Sequence, residues 1–197
     1  MWHWVTSSST LRAGAFAACV LLAAAASGPA AGKTLMTADE ALALAYPGCR
    51  VERATAYLTE EQREEAERLS GGEVRSAVVH PYRVRCGDRA AGTAYFDVHR
   101  VRTLEETLMV ALDAAGRVLR VEVLSFREPQ EYLPRDLWYR QFDGEALSPE
   151  LDLDRGIRGV TGATLTGRAT TKAVRRVLAL HRVLDGGAER TAGGRPR

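Results

Sequence analysis

The sequence predicts an α+β fold, an antiparallel sheet meander with flanking helices in a single domain. Three observations carry this expectation. Two helices with side-chain caps come first, at Thr37-Ala-Asp-Glu40 and Thr59-Glu-Glu-Gln62. A run of Val-, Tyr- and Phe-rich segments follows, broken by turn residues and not by helices. The strongest helical stripe comes last. Strands that succeed one another across short turns pair as antiparallel neighbours.

The elements follow in chain order. Residues 1–32 contain one basic residue, Arg12, and no acid. Ala13–Ala26 is almost wholly apolar, and Ser27–Gly32 is a small-residue exit. This pattern predicts a signal peptide cut before Lys33, with an uncleaved anchor through residues 13–32 as the alternative. Cys19 sits midway along the apolar run, which argues against lipidation. The protein is then expected in the periplasm or another extracytoplasmic space, with membrane association if the anchor is retained. There Cys49 and Cys86 either pair or stand as two separate thiols.

Residues 33–73 form an N-terminal helical segment. Ala41, Leu42, Leu44 and Ala45 give the first helix an apolar face, ended by Pro47-Gly48. The second runs to Leu69, is strongly charged, stops at Gly71-Gly72 and is expected at the surface. Val74–Cys86, Thr93–Val101, Thr107–Leu112 and Arg117–Phe126 read as strands. Asp113-Ala-Ala-Gly116 joins the last two as a hairpin turn. Residues 127–150 read as a long, partly ordered loop carrying Tyr132, Trp138, Tyr139 and Phe142. Ala173, Val177, Leu180 and Leu184 make one stripe on a helix over Arg168–Leu184. The main domain is thus residues 74–184, and residues 185–197 are expected as a disordered tail.

Several function classes are excluded. A net charge of +2 lacks the basic surplus that a dedicated nucleic-acid binder needs. There is no CxxC, GxGxxG, GxxxxGK[ST], GxSxG or HExxH. His80, His99 and His181 have no ligand spacing and read as surface or packed histidines, so no metal site and no catalytic residue is assigned. Glu60-Glu61 and Glu105-Glu106 read as solvated faces, as do Arg100 and Arg102 on one strand face.

One stretch points to a site. Gly159–Arg168 is dense in small residues and hydroxyls and leads directly into the last helix. Thr164 or Thr166 falls at the helix entrance, where unsatisfied N–H groups and the positive dipole end favour an anion. Gly162 and Ala163 leave room for another molecule near the backbone. Arg168 and Lys172 add cations on one side. From the residues alone, a Thr-capped helix after a Gly turn explains the stretch better than a binding site does.

Thr161-Gly162-Ala163-Thr164-Leu165-Thr166 resembles the [S/T]-G-A-T-x-[T/S] signature of the FMN-binding domain family. That family includes the C subunit of the sodium-translocating NADH:quinone reductase and the G subunit of the Rnf electron-transport complex. The signal sequence, the Thr107–Phe126 hairpin, Glu128-Pro129 and the helix after the motif resemble its layout too. The resemblance implies an electron-transfer flavoprotein rather than a stand-alone enzyme. It implies FMN linked through its phosphate to Thr164, delivered from FAD by a flavin transferase. Thr161, Gly162, Ala163, Leu165, Thr166 and Arg168 would surround it. Partners would be redox proteins, with a membrane-bound electron-transport complex as one form, and no nucleic acid. The family pattern carries Asp ahead of the motif where this chain has Arg158, with Asp154 further upstream. Two alternatives stay open: FMN held non-covalently at the same site, and a cofactor-free periplasmic protein-binding module. The four aromatics of residues 127–150 would either lie under the flavin ring or anchor their own loop.

Overall fold

A computed structural model describes residues 33–193. The expected signal peptide, residues 1–32, lies outside the described residues, as does the end of the expected tail, residues 194–197. The strands are β1 (Lys33–Thr34), β2 (Arg50–Arg53), β3 (Ala56–Tyr57), β4 (Val78–Val79), β5 (Tyr82–Cys86), β6 (Arg89–Arg100), β7 (Glu105–Asp113) and β8 (Val118–Phe126). Six of them form one antiparallel sheet in the order β1-β8-β7-β6-β5-β2, and β3 and β4 make a small separate ribbon. The helices are α1 (Ala38–Ala45), α2 (Glu60–Ser70), α3 (Asp136–Tyr139) and α4 (Thr164–Gly193). The α+β expectation holds.

Strand β7 explains the layering. It is central and buried on both faces, so its Thr107–Leu112 run is continuously apolar after the first residue. Leu108, Val110 and Leu112 pack with Ala173, Val174, Val177 and Leu178 of α4. Met109 and Ala111 point the other way and pack with Ala41 and Leu42 of α1. Each fully buried aliphatic side chain contributes about 1.5–3 kcal/mol. α2 rests on the far end of α4, with Ala66 and Leu58 against Ala179, Leu180 and Val183. It is therefore not wholly superficial, although most of its side chains are solvated.

Local signals form as expected at the helix starts and the hairpin. Thr37 and Thr59 both close capping boxes, with Glu40 and Gln62 as the reciprocal partners. Gly71 ends α2 in the left-handed conformation (φ 71°). The Asp113 carboxylate accepts from the Ala115 and Arg117 N–H groups at 2.9 Å each, and Gly116 takes φ 73°. Cys49 and Cys86 are joined as a disulfide, which ties the start of β2 to the end of β5.

Four expectations need correction. The segment Val74–Cys86 is not one strand: Pro81 breaks it, and only Val78–Val79 and Tyr82–Cys86 are extended in sheets. Residues 127–150 are not a partly ordered loop. Trp138, Tyr139 and Phe142 are core residues, and Gly144 and Glu145 bond to Val118 on β8. Burying three aromatic rings offsets the entropy of ordering an irregular segment. Helix α4 begins at Thr164, four residues before the expected start. It also continues through residues 185–193, expected as tail, because Gly186 does not adopt the left-handed stop conformation. Finally, Glu106 is not a solvated acid; it is fully buried, because adjacent strand residues face opposite sides and only Glu105 faces water.

Candidate functional site

The motif builds the entrance of α4. Gly162 takes φ 83°, a conformation costly for residues with a Cβ, and nothing stands within 4 Å of where a Cβ would project. Ala163 N–H donates to Val160 O at 3.1 Å and Gly167 N–H to Ala163 O at 2.9 Å, which starts the helix. Ala163 is buried, whereas Thr161, Gly162, Thr164, Leu165 and Arg168 are exposed. The Thr164 hydroxyl donates to Val160 O at 3.3 Å, and the residue is exposed. Thr166 is different: it is buried and donates to Tyr132 O at 2.6 Å.

Two hollows meet this entrance. The smaller, about 160 Å³, is lined by Arg102, Tyr132 and Gly162–Thr166. The Arg102 guanidinium lies 4.9 Å from the centre of the Tyr132 ring, a cation–π contact. The larger, about 710 Å³, is a groove between α4, the outer part of β6 and the β4 segment. Leu165, Arg168, Lys172 and Arg176 bring α4 to it, and Asp97, His99 and Arg100 bring β6. Thr164, Arg168, Lys172 and Arg176 succeed one another at four-residue spacing, which stacks them along one side of the helix. The groove therefore begins at Leu165, next to Thr164, and extends to Leu180, about 22 Å along the helix axis.

Glu128 holds the wall opposite the motif. Its Oε1 accepts from the backbone N–H groups of Arg102, Thr103 and Leu104 at 3.2, 2.7 and 2.8 Å. The hydrogen bond from Leu104, with those from Thr103 and Arg102, keeps this carboxyl below the usual carboxylate range against its partial burial. The clamp orders the β6–β7 turn that carries Arg102. Arg102 is thus a turn residue and does not share a strand face with Arg100, as the sequence suggested.

The floor of the groove holds a chain of largely buried charges, leading to the fully buried Glu106, that sequence reading missed. Arg176 binds Asp97 through Nε and Nη2 at 2.9 and 2.7 Å. Asp97 also bonds His99 Nδ1 at 3.0 Å, and His99 Nε2 bonds Glu106 at 3.0 Å. Thr170 donates to the same Glu106 oxygen at 3.2 Å. Burial lowers the His99 pKa, but its hydrogen bonds to Asp97 and Glu106 and their charges outweigh burial and raise it to about 9. Burial raises the Asp97 pKa, but His99 and Arg176 bring it below its ordinary value. The Tyr139 hydroxyl and Glu106 Oε1 have no hydrogen-bond partner among the described residues. A signal existed: Asp97 and His99 are polar residues two apart on a strand, and an inward polar pair is costly unless it is satisfied. His181 is packed too, against the Tyr95 hydroxyl at 3.0 Å, whereas His80 lies at the surface near Thr55.

The other sequence candidates separate. Trp138, Tyr139 and Phe142 are committed to the core and to one another, with ring centroids 5.1 and 5.4 Å apart around Trp138, and cannot also lie under a ligand. Tyr132 alone borders a hollow beside the motif. Arg158 is fastened by its backbone, its carbonyl accepting from Trp138 Nε1 at 2.7 Å, and its side chain is exposed. Asp154, at φ 69°, brings a carboxylate oxygen against Gly159, where an added Cβ would meet it at 3.4 Å. A carboxylate therefore does lie at the turn ahead of the motif, supplied from Asp154.

These features define a small α+β domain with an accessible threonine hydroxyl at a helix entrance and an elongated groove beside it, a design for holding a cofactor. Residues 105–179 match the family model described as FMN-binding domain. The match spans strands β7 and β8, the aromatic segment, the motif and the first half of α4. No curated protein matches the chain.

Proposed function

We propose that this protein is an exported electron-transfer flavoprotein with FMN esterified through its phosphate to Thr164. The observation that carries this reading is the exposed Thr164 inside T-G-A-T-L-T, which lines the small hollow and is next to Leu165 at the head of a groove large enough for a three-ring heterocycle. The residues suit the group. Gly162 leaves open space beside the hydroxyl, and the α4 entrance favours a phosphodiester. Arg168 and Lys172 add positive charge along the same side, and Leu165 supplies apolar surface that excludes water. Bound there, FMN supplies reversible one- and two-electron chemistry. The polypeptide fixes it, shields it and sets its electrostatic surroundings.

A flavin transferase would deliver the FMN phosphoryl group from FAD to the Thr164 oxygen, with AMP as the leaving group. Export through residues 1–32 gives the tether its purpose, since outside the cytosol a lost flavin has no pool to rebind from. Residues 13–32, if retained, would hold the domain at a membrane. The partners in this reading are the transferase and redox proteins that deliver and remove electrons.

One observation favours a second reading: the exposed Arg158 side chain, which could meet the phosphate of non-covalently held FMN. A single experiment separates the two. Protein made in a host with a flavin transferase is denatured and its visible spectrum and peptide masses are recorded. Yellow colour that stays with the polypeptide, and a Thr164 peptide heavier by FMN less water, support the ester. Colour released on denaturation supports the second reading. A colourless native protein would falsify both.

A further inference from the structure

The groove carries more positive charge than one flavin needs. Arg53 at the end of β2, Arg100 at the end of β6, and Arg168 and Lys172 on α4 all line it, all are exposed, and none is within ion-pair distance of a carboxylate among the described residues. The chain as a whole is nearly neutral at +2, so this concentration does not reflect a generally basic surface. An esterified FMN phosphate carries one negative charge. Arg168 and Lys172, on the helix that carries Thr164, are enough to answer it. Arg53 and Arg100 stand on the sheet wall and have no counterpart.

The surface between them is also unusual. β5 pairs with β6 only as far as Ala94, whereas β7 follows β6 to Arg100, so among the described residues β6 from Tyr95 onward has an open edge on the β5 side. Val98, 58% exposed, and Val78, 39% exposed, lie along the same mouth. Apolar side chains ringed by unpaired cations are the composition of a transient docking surface: the apolar centre gives contact area and the cationic rim steers an oppositely charged partner.

We propose that the mouth of this groove, with Arg53 and Arg100 as its charged rim, is a docking surface for the acidic face of a small electron-transfer protein. The purpose of such docking rests on the flavin reading above, because the same groove begins at the head of α4. The docking itself does not require the flavin. Opposite charges at this rim raise encounter rates at low salt, and that gain is screened once the Debye length falls to about 8 Å at physiological ionic strength.

The test uses the full chain, prepared with and without flavin transferase, and a plant-type ferredoxin as the acidic probe. Fluorescence anisotropy measures binding at low and at physiological salt, with a basic cytochrome c as the control of opposite charge. The expected result is ferredoxin binding that weakens with salt, no cytochrome binding, and a loss of about tenfold or more in Arg53→Glu/Arg100→Glu. The double variant keeps its thermal midpoint and its flavin content, since both side chains are exposed and lie off the α4 entrance. Salt-independent binding, or equal binding by wild type and variant, would overturn the proposal and leave the two arginines as protection of an open strand edge. A colourless chain that still binds ferredoxin in this manner would remove the flavin reading and keep the docking surface. A yellow chain that does not bind it would do the reverse.

Discussion

Thr164 and Thr166 stand two positions apart in the first turn of α4 and meet opposite surroundings. The Thr164 hydroxyl is exposed and makes only a long 3.3 Å bond to Val160 O, whereas the Thr166 hydroxyl is buried and donates to Tyr132 O at 2.6 Å. Two residues on a helix are separated by about 200° of rotation, so one hydroxyl faces solvent when the other faces the core.

The two threonines should separate cleanly on substitution. Thr164→Ala is expected to abolish the flavin mass increment and to change stability by less than about 0.5 kcal/mol. Thr166→Ala is expected to keep the increment and to cost about 1–2 kcal/mol in denaturant unfolding, from the lost buried hydrogen bond. Mass spectrometry of the tryptic peptide and a urea titration read both. An increment that survives Thr164→Ala would remove the ester assignment.

His99 gives a pH dependence with a definite sign. Its folded pKa, about 9, lies above the unfolded value near 6.5. The charged imidazole therefore contributes its full stabilisation below about pH 6.5, and that contribution is lost as pH rises through about 9. The groups that face it are Asp97, Glu106, and through them Arg176 and Thr170. The loss should be on the order of 3 kcal/mol, read as a falling unfolding free energy between pH 6.5 and 9.5. His99→Gln should be less stable at pH 6.5 and nearly flat across that window. A wild-type profile as flat as the variant's would refute the assignment.

Glu128 should matter for the turn that carries Arg102. Glu128→Gln leaves one acceptor oxygen but removes its charge, and Glu128→Ala removes the acceptor of three backbone N–H groups. Costs of about 1–3 kcal/mol are expected for the alanine variant and less for the glutamine. Because the folded pKa is lowered, this stabilisation is present above the unfolded pKa and fades as pH falls through the folded one. Amide hydrogen exchange at Thr103 and Leu104 should rise in the alanine variant; unchanged exchange there would show that the clamp is dispensable.

The Cys49–Cys86 disulfide closes a separation of 37 residues. Chain-entropy reasoning assigns such a bridge about 3–4 kcal/mol. The double Cys49→Ser/Cys86→Ser variant, or the wild type under a reductant, should show a lower thermal midpoint in calorimetry. An equal midpoint would mean that β2 is held by its four paired residues and by packing alone.

How much of this was legible in the sequence differs from one element to the next. Helix entrances at Thr37 and Thr59, the Asp113–Gly116 turn and the α4 stripe were all readable, because each depends on residues within a few positions of one another. The motif itself was readable for the same reason. The 127–150 segment was not, because its order comes from three aromatic rings finding a core formed by β7, β8 and α4. Glu106 was misread as solvated because its neighbour Glu105 truly is, and only the strand's pairing decides which of two adjacent acids turns inward.

The amino-acid order by itself determined an α+β chain with an antiparallel meander and a small-residue threonine motif at the head of its last helix. Those properties arise from periodicity, caps and turns, which act over one helical turn or one hairpin. Only the tertiary structure decided which threonine is exposed, which cations share a groove, and that Thr170 meets Glu106 across 64 residues of sequence, with His99 on the same carboxylate. Such meetings are set by how sheet and helix faces pack, and close packing admits one arrangement of buried charges that no local pattern encodes.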